Sequence, residues 1–283
     1  MHITYDIPDF NAKHYQDRSQ IRKCARPWAM LHDDKASHAV LLCHGYTGYP
    51  GELIRPGIDI FEKGMDVYCP RYPGHGTSGD DFLASKAEDW IGTVYDACAY
   101  LVQQYDQVSL VGHSMGGAIA TLIADAFDVE TLALIAPALV VPTLPVTKVR
   151  ILRHFIKRRK VAWQRDSAYT FLYEGDSDDD AYLGSQYWSY QFPKKIWDLE
   201  LVRRQAVACI DHLKANTLAI SGGEDDLVPK EASLLVTGKK RGKNHHLHIE
   251  KATHLMPYDK DKQAQDQAMH AIAEWLSKDF NLF

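Results

Sequence analysis

Apolar positions in this chain fall into short continuous runs that alternate with helically spaced stretches from about residue 38 onward. Ala39-Val40-Leu41-Leu42-Cys43 is apolar throughout, as expected of a strand covered on both faces. Residues 51–63 have a helical pattern, and Gly64 stands where such a helix would end. Residues 65–69 form the next strand pattern. Ser85-Lys86-Ala87-Glu88 has the composition of a capping box. Behind it Trp90, Ile91, Val94, Tyr95, Cys98, Leu101, Val102 and Tyr105 recur at helical spacing. Residues 108–111 make a further strand, followed by the small, apolar segment 117–124, which reads as a buried helix. Strand patterns at 132–136, 217–221 and 246–250 and an amphipathic helix through Ala268, Ile272, Trp275 and Leu276 complete the series. Repeated βα units predict an α/β fold, with a mostly parallel central sheet and helices on both faces.

Residues 138–212 break this rhythm with Pro142 and Pro145, a basic stretch, an acidic loop at 174–180 and many aromatics. We read the segment as an inserted cap or lid, with 1–137 and 213–283 forming the core. Within it Val149, Ile151, Leu152, Phe155 and Ile156 alternate with Lys148, Arg150, Arg153, Lys157, Arg158, Arg159 and Lys160, which predicts a basic amphipathic helix. Such a helix can make transient contact with an anionic membrane surface. The weightier reading is a cap helix with its apolar face on the pocket and its charges in water, where the acidic loop could also neutralise it. Tyr182, Tyr187, Trp188, Tyr190, Phe192 and Trp197 form an aromatic set, mostly cap core; Tyr187, Trp188 and Trp197 are the candidates for substrate contact.

Composition adds limits rather than a function. Hydrophobic residues make up 46% of the 283, enough for a sizeable core. The net charge of −5 gives no electrostatic case for nucleic acid as a partner. The five cysteines are odd in number and widely spaced, so buried, reduced thiols are expected rather than a disulfide framework. The N-terminus has neither a basic start nor an apolar run, so no secretory signal or membrane span is expected, and a cytoplasmic location follows by default.

The candidate chemistry centres on Gly112-His113-Ser114-Met115-Gly116, a G-x-S-x-G pattern between a strand and a helix. A sharp turn there strains the serine and exposes its hydroxyl, and the glycines keep side chains out of the neighbouring backbone. A serine hydroxyl is a weak nucleophile and needs a base, an orienting acid and fixed donors for the oxyanion. The base candidate among fourteen histidines is His254, on a loop after the last strand. His245, His246 and His248 read as surface and strand-edge residues, with no spacing for a closed metal site. Three acids compete in Glu224-Asp225-Asp226, after a strand end; Asp225 is preferred, with Asp226 second and Glu224 third. The oxyanion donors are expected to be the backbone N–H groups of Met115 and of Tyr46, in the loop His44-Gly45-Tyr46-Thr47-Gly48.

These residues resemble the α/β-hydrolase superfamily, and within it the serine carboxylesterase and monoacylglycerol-lipase-like branch. The order Ser114, Asp225, His254 is similar to the family's order of nucleophile, acid and base. His44-Gly45-Tyr46 resembles its oxyanion loop, and Pro70-Arg71-Tyr72-Pro73-Gly74-His75-Gly76-Thr77-Ser78 its Pro-Gly-His-Gly-x-Ser loop, which in relatives is structural and near the pocket mouth. Gly222-x-x-Asp225-x-x-Val228-Pro229 is similar to the acid loop, and His254 with Asp259 to a His-x4-Asp pattern. The resemblance covers essentially all of the chain outside 138–212, and that insert matches no cap of the family. It implies hydrolysis of short- to medium-chain acyl esters, monoglycerides or lysophospholipids, with no cofactor and no metal. The single glycine after His44 argues against bulky tertiary-alcohol esters. The same groups would serve an acyltransferase, a C–C hydrolase or a cofactor-free haloperoxidase. Ser114 argues against a haloalkane dehalogenase, which needs an aspartate nucleophile. A non-catalytic scaffold of this fold commonly lacks a triad member, and here each has a candidate.

Overall fold

The computed structural model describes residues 2–169 and 175–278. Its main sheet runs β1-β2-β4-β3-β5-β6-β9-β10. These strands are β1 (Ile3–Thr4), β2 (Trp28–Met30), β3 (His38–Cys43), β4 (Asp66–Cys69), β5 (Gln107–His113), β6 (Thr131–Ile135), β9 (Asn216–Gly222) and β10 (Asn244–Ile249). From β4 to β10 every pairing is parallel, whereas β2 lies antiparallel on β4 and β1 antiparallel on β2. The predicted α/β class holds, and the apolar runs at 39–43, 108–111 and 132–136 are the strands buried on both faces.

Helices α1 (Ile54–Phe61) and α9 (Lys262–Leu276) pack together, and α3 (Ala87–Gln104) packs beside α4 (Met115–Ala126). A short α2 (Gly79–Ala84) precedes α3, and α8 (Lys230–Thr237) follows β9. The helix read at 51–63 is shorter than expected. Pro50–Leu53 forms a 3₁₀ turn, α1 ends at Phe61, and Gly64 follows at φ +83°. The capping box also lies one residue later. The Lys86 amide donates to Asp89 Oδ2 at 2.8 Å, while Ser85 Oγ instead donates to the Phe82 carbonyl and accepts from Trp90 Nε1.

The segment 138–212 holds α5 (Val146–Leu152), β7 (Arg159–Lys160), α6 (Asp179–Leu183), a π-helical turn at Gly184–Trp188, β8 (Tyr190–Gln191) and α7 (Pro193–Cys209). The basic amphipathic helix is therefore only seven residues long, and its cationic tail turns out to pair as a strand, β7 with β8. Arg159 and Lys160 form that ladder with Gln191 and Tyr190, and the preceding Arg158 guanidinium lies 5.0 Å from the Tyr190 ring centroid. The described aspartates of the acidic loop pair elsewhere. Asp176, Asp178 and Asp179 gather on Arg22, and Asp180 pairs with Arg165; Glu174 lies outside the described residues. The long α7 packs along both α4 and α5. Four of the five cysteines are buried, and all are free thiols. No described helix is long and apolar enough to cross a membrane.

Candidate active site

The chain runs from β3 to its neighbour β4 on one side and then crosses to β5 on the other, so the sheet reverses its winding between β3 and β5. In open α/β sheets the crevice at the carboxyl ends of such strands is where ligands bind. His44 follows β3 there, and Ser114 follows β5.

Ser114 has φ 55° and ψ −118°, a strained backbone for a residue with a side chain. The turn survives because its flanks cannot carry one. A Cβ on Gly112 would stand 2.3 Å from the Gly116 carbonyl oxygen, and one on Gly116 would stand 2.0 Å from that of Cys43. The Ser114 amide donates to the Ile135 carbonyl at 2.9 Å, and its own carbonyl accepts from Gly117 and Ala138. The strain is thus held by α4, β6 and the strand-end loop together.

Ser114 Oγ lies 3.0 Å from His254 Nε2, and His254 Nδ1 lies 2.8 Å from Asp225 Oδ2. Asp225 Oδ1 accepts from the Leu227 and Val228 amides, each at 2.9 Å. Burial raises the pKa of this carboxyl, but the bond to His254, its charge and the two amides outweigh burial and hold it below the ordinary aspartate value. Its neighbours take no part: Asp226 is exposed, and Glu224 faces Lys260 at 3.7 Å. A hydroxyl, an imidazole and an ionised carboxylate in series can draw the proton from the oxygen and stabilise the imidazolium that forms.

Met115 begins α4, so its N–H has no acceptor inside the helix. In the loop after β3 the turn is closed by the Gly48 amide on the Gly45 carbonyl at 3.1 Å, which does not use the Tyr46 amide. A Cβ on Gly45 would meet Ser114 Cβ at 3.5 Å, which places this loop directly beside Ser114. Beneath it His44 stacks on Tyr72 with ring centroids 3.9 Å apart, and its Nε2 accepts from the Tyr72 amide. Arg71 ties the Pro70–Ser78 segment to Asp17 at 2.7 Å and to the Tyr72 and His75 carbonyls.

Two residues at the site were not singled out for the parts they play. His113 Nε2 donates to the His254 carbonyl oxygen at 2.8 Å. Asp259 accepts from the Thr253 amide at 2.7 Å and from its hydroxyl at 2.9 Å, and so braces the residue before His254. The His-x4-Asp pattern marks Asp259 in the sequence; nothing there marks His113 except its place beside the serine.

The cap aromatics divide. Tyr187 is buried, accepts from the Thr77 amide at 2.8 Å and donates to the Gly74 carbonyl at 2.9 Å, so its phenol joins the cap to the Pro70–Ser78 segment. Trp197 stands among arginines, with Arg153 4.2 Å and Arg204 5.6 Å from its ring centroid. The Trp188 ring lies 6.5 Å between centroids from that of Tyr49, the residue after the loop His44–Gly48, and 5.2 Å from that of Trp163.

The fold and this constellation define the esterase- and lipase-like class of the α/β-hydrolase superfamily. More narrowly, the family described as "serine aminopeptidase, S33" matches residues 34–261, and the chain belongs to it. The chain is 36% identical over 87 residues to a thermostable monoacylglycerol lipase of Bacillus sp. (strain H-257), a match covering 30% of this chain and 34% of that protein. It is 33% identical over 93 residues to a carboxylesterase of Bacillus subtilis (strain 168), covering 32% and 37%. These matches span only about a third of each relative's length. A structure reported with LipS and LipT, two metagenome-derived lipolytic enzymes, shares the fold with TM-score 0.77 at 22% identity, over 92% of this chain and all of that one.

Proposed function

We propose that the chain hydrolyses carboxylic esters through an acyl-enzyme intermediate on Ser114. The observation that carries this reading is the strained Ser114, with its Oγ 3.0 Å from the imidazole that Asp225 orients. His254 removes the hydroxyl proton as Ser114 Oγ attacks the ester carbonyl carbon. The oxyanion then sits between the Tyr46 and Met115 amides. Collapse of the tetrahedral intermediate expels the alcohol, protonated by His254. Water, deprotonated by the same imidazole, attacks the acyl carbonyl and releases the acid and free Ser114. Every proton is returned, so the cycle is complete without a further reactant.

The names of the relatives point to acyl esters of short to medium chain, with monoglycerides and lysophospholipids as substrate classes. The segment 138–212 is proposed as the substrate-selecting cap, with Trp188 in its wall and α7 tying it to α4. The experiment is a panel of esters graded by acyl length, including a monoglyceride and a lysophospholipid. An aminoacyl arylamide is added because the family description names an aminopeptidase. Wild type and Ser114→Ala are compared. Loss of the triad serine is expected to lower kcat by on the order of 10⁶. Residual activity above a few per cent in Ser114→Ala, or turnover of the arylamide alone, would overturn the reading.

A further inference from the structure

Between residues 148 and 160 the sequence carries seven cations and no carboxylate. Among the described residues of the acidic loop, Asp176, Asp178 and Asp179 are committed to Arg22 and Asp180 to Arg165, and none of them pairs with this charge. Two of the seven, Arg150 and Arg153, lie three residues apart on and just beyond α5, where it packs on α7. From α7 come Trp197 and Arg204, seven residues apart and so on one helix face. Together with Val146 and Thr147 these side chains line a cleft of about 550 Å³.

Three arginines therefore line one cleft, and two of them, Arg153 and Arg204, share the Trp197 ring. Among the described residues the carboxylate paired with one of them is Glu200, which accepts from Arg204 Nε at 2.6 Å but is shared with Arg203 at 2.7 and 3.0 Å. Arg150 and Arg153 have no acidic partner among the described residues. Arg153 is held over the Trp197 ring and donates from Nε to His154 Nε2 at 3.2 Å. Gathering like charges in this way is unfavourable unless an anion compensates them. The planar guanidinium fork matches the paired oxygens of a phosphate.

We propose that the α5–α7 cleft binds a phosphate mono- or diester through Arg150, Arg153 and Arg204. The group can come from a soluble phosphate ester or from a phospholipid headgroup. The surroundings favour the headgroup: Ile151 and Phe155, 61% and 81% exposed, stand on the same segment, where apolar side chains can enter the acyl boundary of a lipid surface. The site is independent of the proposed hydrolysis, because binding is read without turnover.

The test uses the full chain in two arms. One titrates glycerol 3-phosphate and follows tryptophan fluorescence. The other measures cosedimentation with vesicles of phosphatidylcholine alone and of phosphatidylcholine mixed with phosphatidylglycerol. The cleft variant is Arg150→Gln with Arg204→Gln; the control, Lys157→Gln with Arg159→Gln, removes equal charge outside the cleft. Unchanged melting temperature and unchanged hydrolysis of a soluble ester show that both are folded. Affinity should fall roughly fivefold per guanidinium removed from the cleft, from about 1 kcal/mol per basic residue near an anionic surface, and the control should fall less. Cleft-specific loss in the vesicle arm identifies the headgroup; cleft-specific loss in the soluble arm alone supports the site with a soluble phosphate ester as its ligand. Equal loss in both variants, or no binding in either arm, overturns it.

Discussion

His113 Nε2 lies 2.8 Å from the backbone carbonyl oxygen of His254. A carbonyl has no proton to give, so Nε2 must carry the hydrogen. Burial pushes the His113 pKa down to about 3, with the nearby His254 lowering it further, so the ring is a neutral donor near neutral pH. The bond joins the end of β5, one residue before Ser114, to the loop that carries His254. The separation of hydroxyl and imidazole is therefore set by the backbone as well as by Asp225.

His113→Ala should lower kcat, on the order of 10²-fold, because a small displacement of a catalytic base is costly. KM should change little, since the ring is buried. His113→Gln keeps an N–H donor and should recover part of the loss. Steady-state kinetics on both variants decide the matter; equal defects in the two would show that the ring serves only as packing.

Asp225→Asn should lower kcat by roughly 10⁴, as when a triad carboxylate becomes an amide. Asp226→Asn should do far less, since its side chain is exposed while Asp225 Oδ2 reaches His254 at 2.8 Å. The reverse ranking would move the acid by one residue and require a different loop conformation in solution.

Much of this architecture was legible because the core strands are apolar at consecutive positions and the elbow glycines have a steric reason to be glycine. Gly116, whose Cβ would strike the Cys43 carbonyl, is an example. What escaped notice lacks a local signature. Ile3–Thr4 and Trp28–Met30 are too short to show periodicity and are defined by pairing with a distant edge. Helix α7 mixes buried Lys195, Asp198 and Glu200 with apolar residues, so its faces do not separate in the sequence. Lys195 is tolerated there because Asp198, one turn on, lies 2.5 Å from Nζ and the Ser85 carbonyl, far away in sequence, accepts from it. The expected helix through 148–160 stops at Leu152, and Arg159 and Lys160 pair instead with β8, a partner distant in sequence.

Trimming the cap aromatics should separate their roles. Trp188→Ala should shift the ratio of kcat/KM between short and long acyl esters, by the roughly 1–3 kcal/mol typical of a pocket contact. Trp197→Ala should leave that ratio unchanged, because its ring is engaged with Arg153 and Arg204. A shift in the second variant and none in the first would place the acyl chain along α7 instead.

Glu52 gives the fold a pH dependence of its own. It lies in the 3₁₀ turn after the oxyanion loop, and a Cβ on Gly48 would stand 2.3 Å from its Oε2. Burial raises its pKa from 4.5 to about 8, against the lowering by the Tyr49 backbone and the Tyr258 hydroxyl. The thiols of Cys24 and Cys69, which also feel this carboxyl, are themselves pushed up and stay neutral. With the folded value above the unfolded one, the folded chain binds the extra proton between them. The stability due to neutral Glu52 is thus complete below about 4.5 and is lost as pH rises towards about 8. The slope in that window approaches 1.4 kcal/mol per pH unit, an upper value since neighbours relax. Glu52→Gln imitates the protonated form and should flatten the curve. Its unfolding free energy relative to wild type should therefore improve between pH 5 and pH 8, read by urea denaturation at both. A difference that stays constant across the two pH values would mean that Glu52 is ionised in the folded protein and that the turn beside the oxyanion loop tolerates its charge.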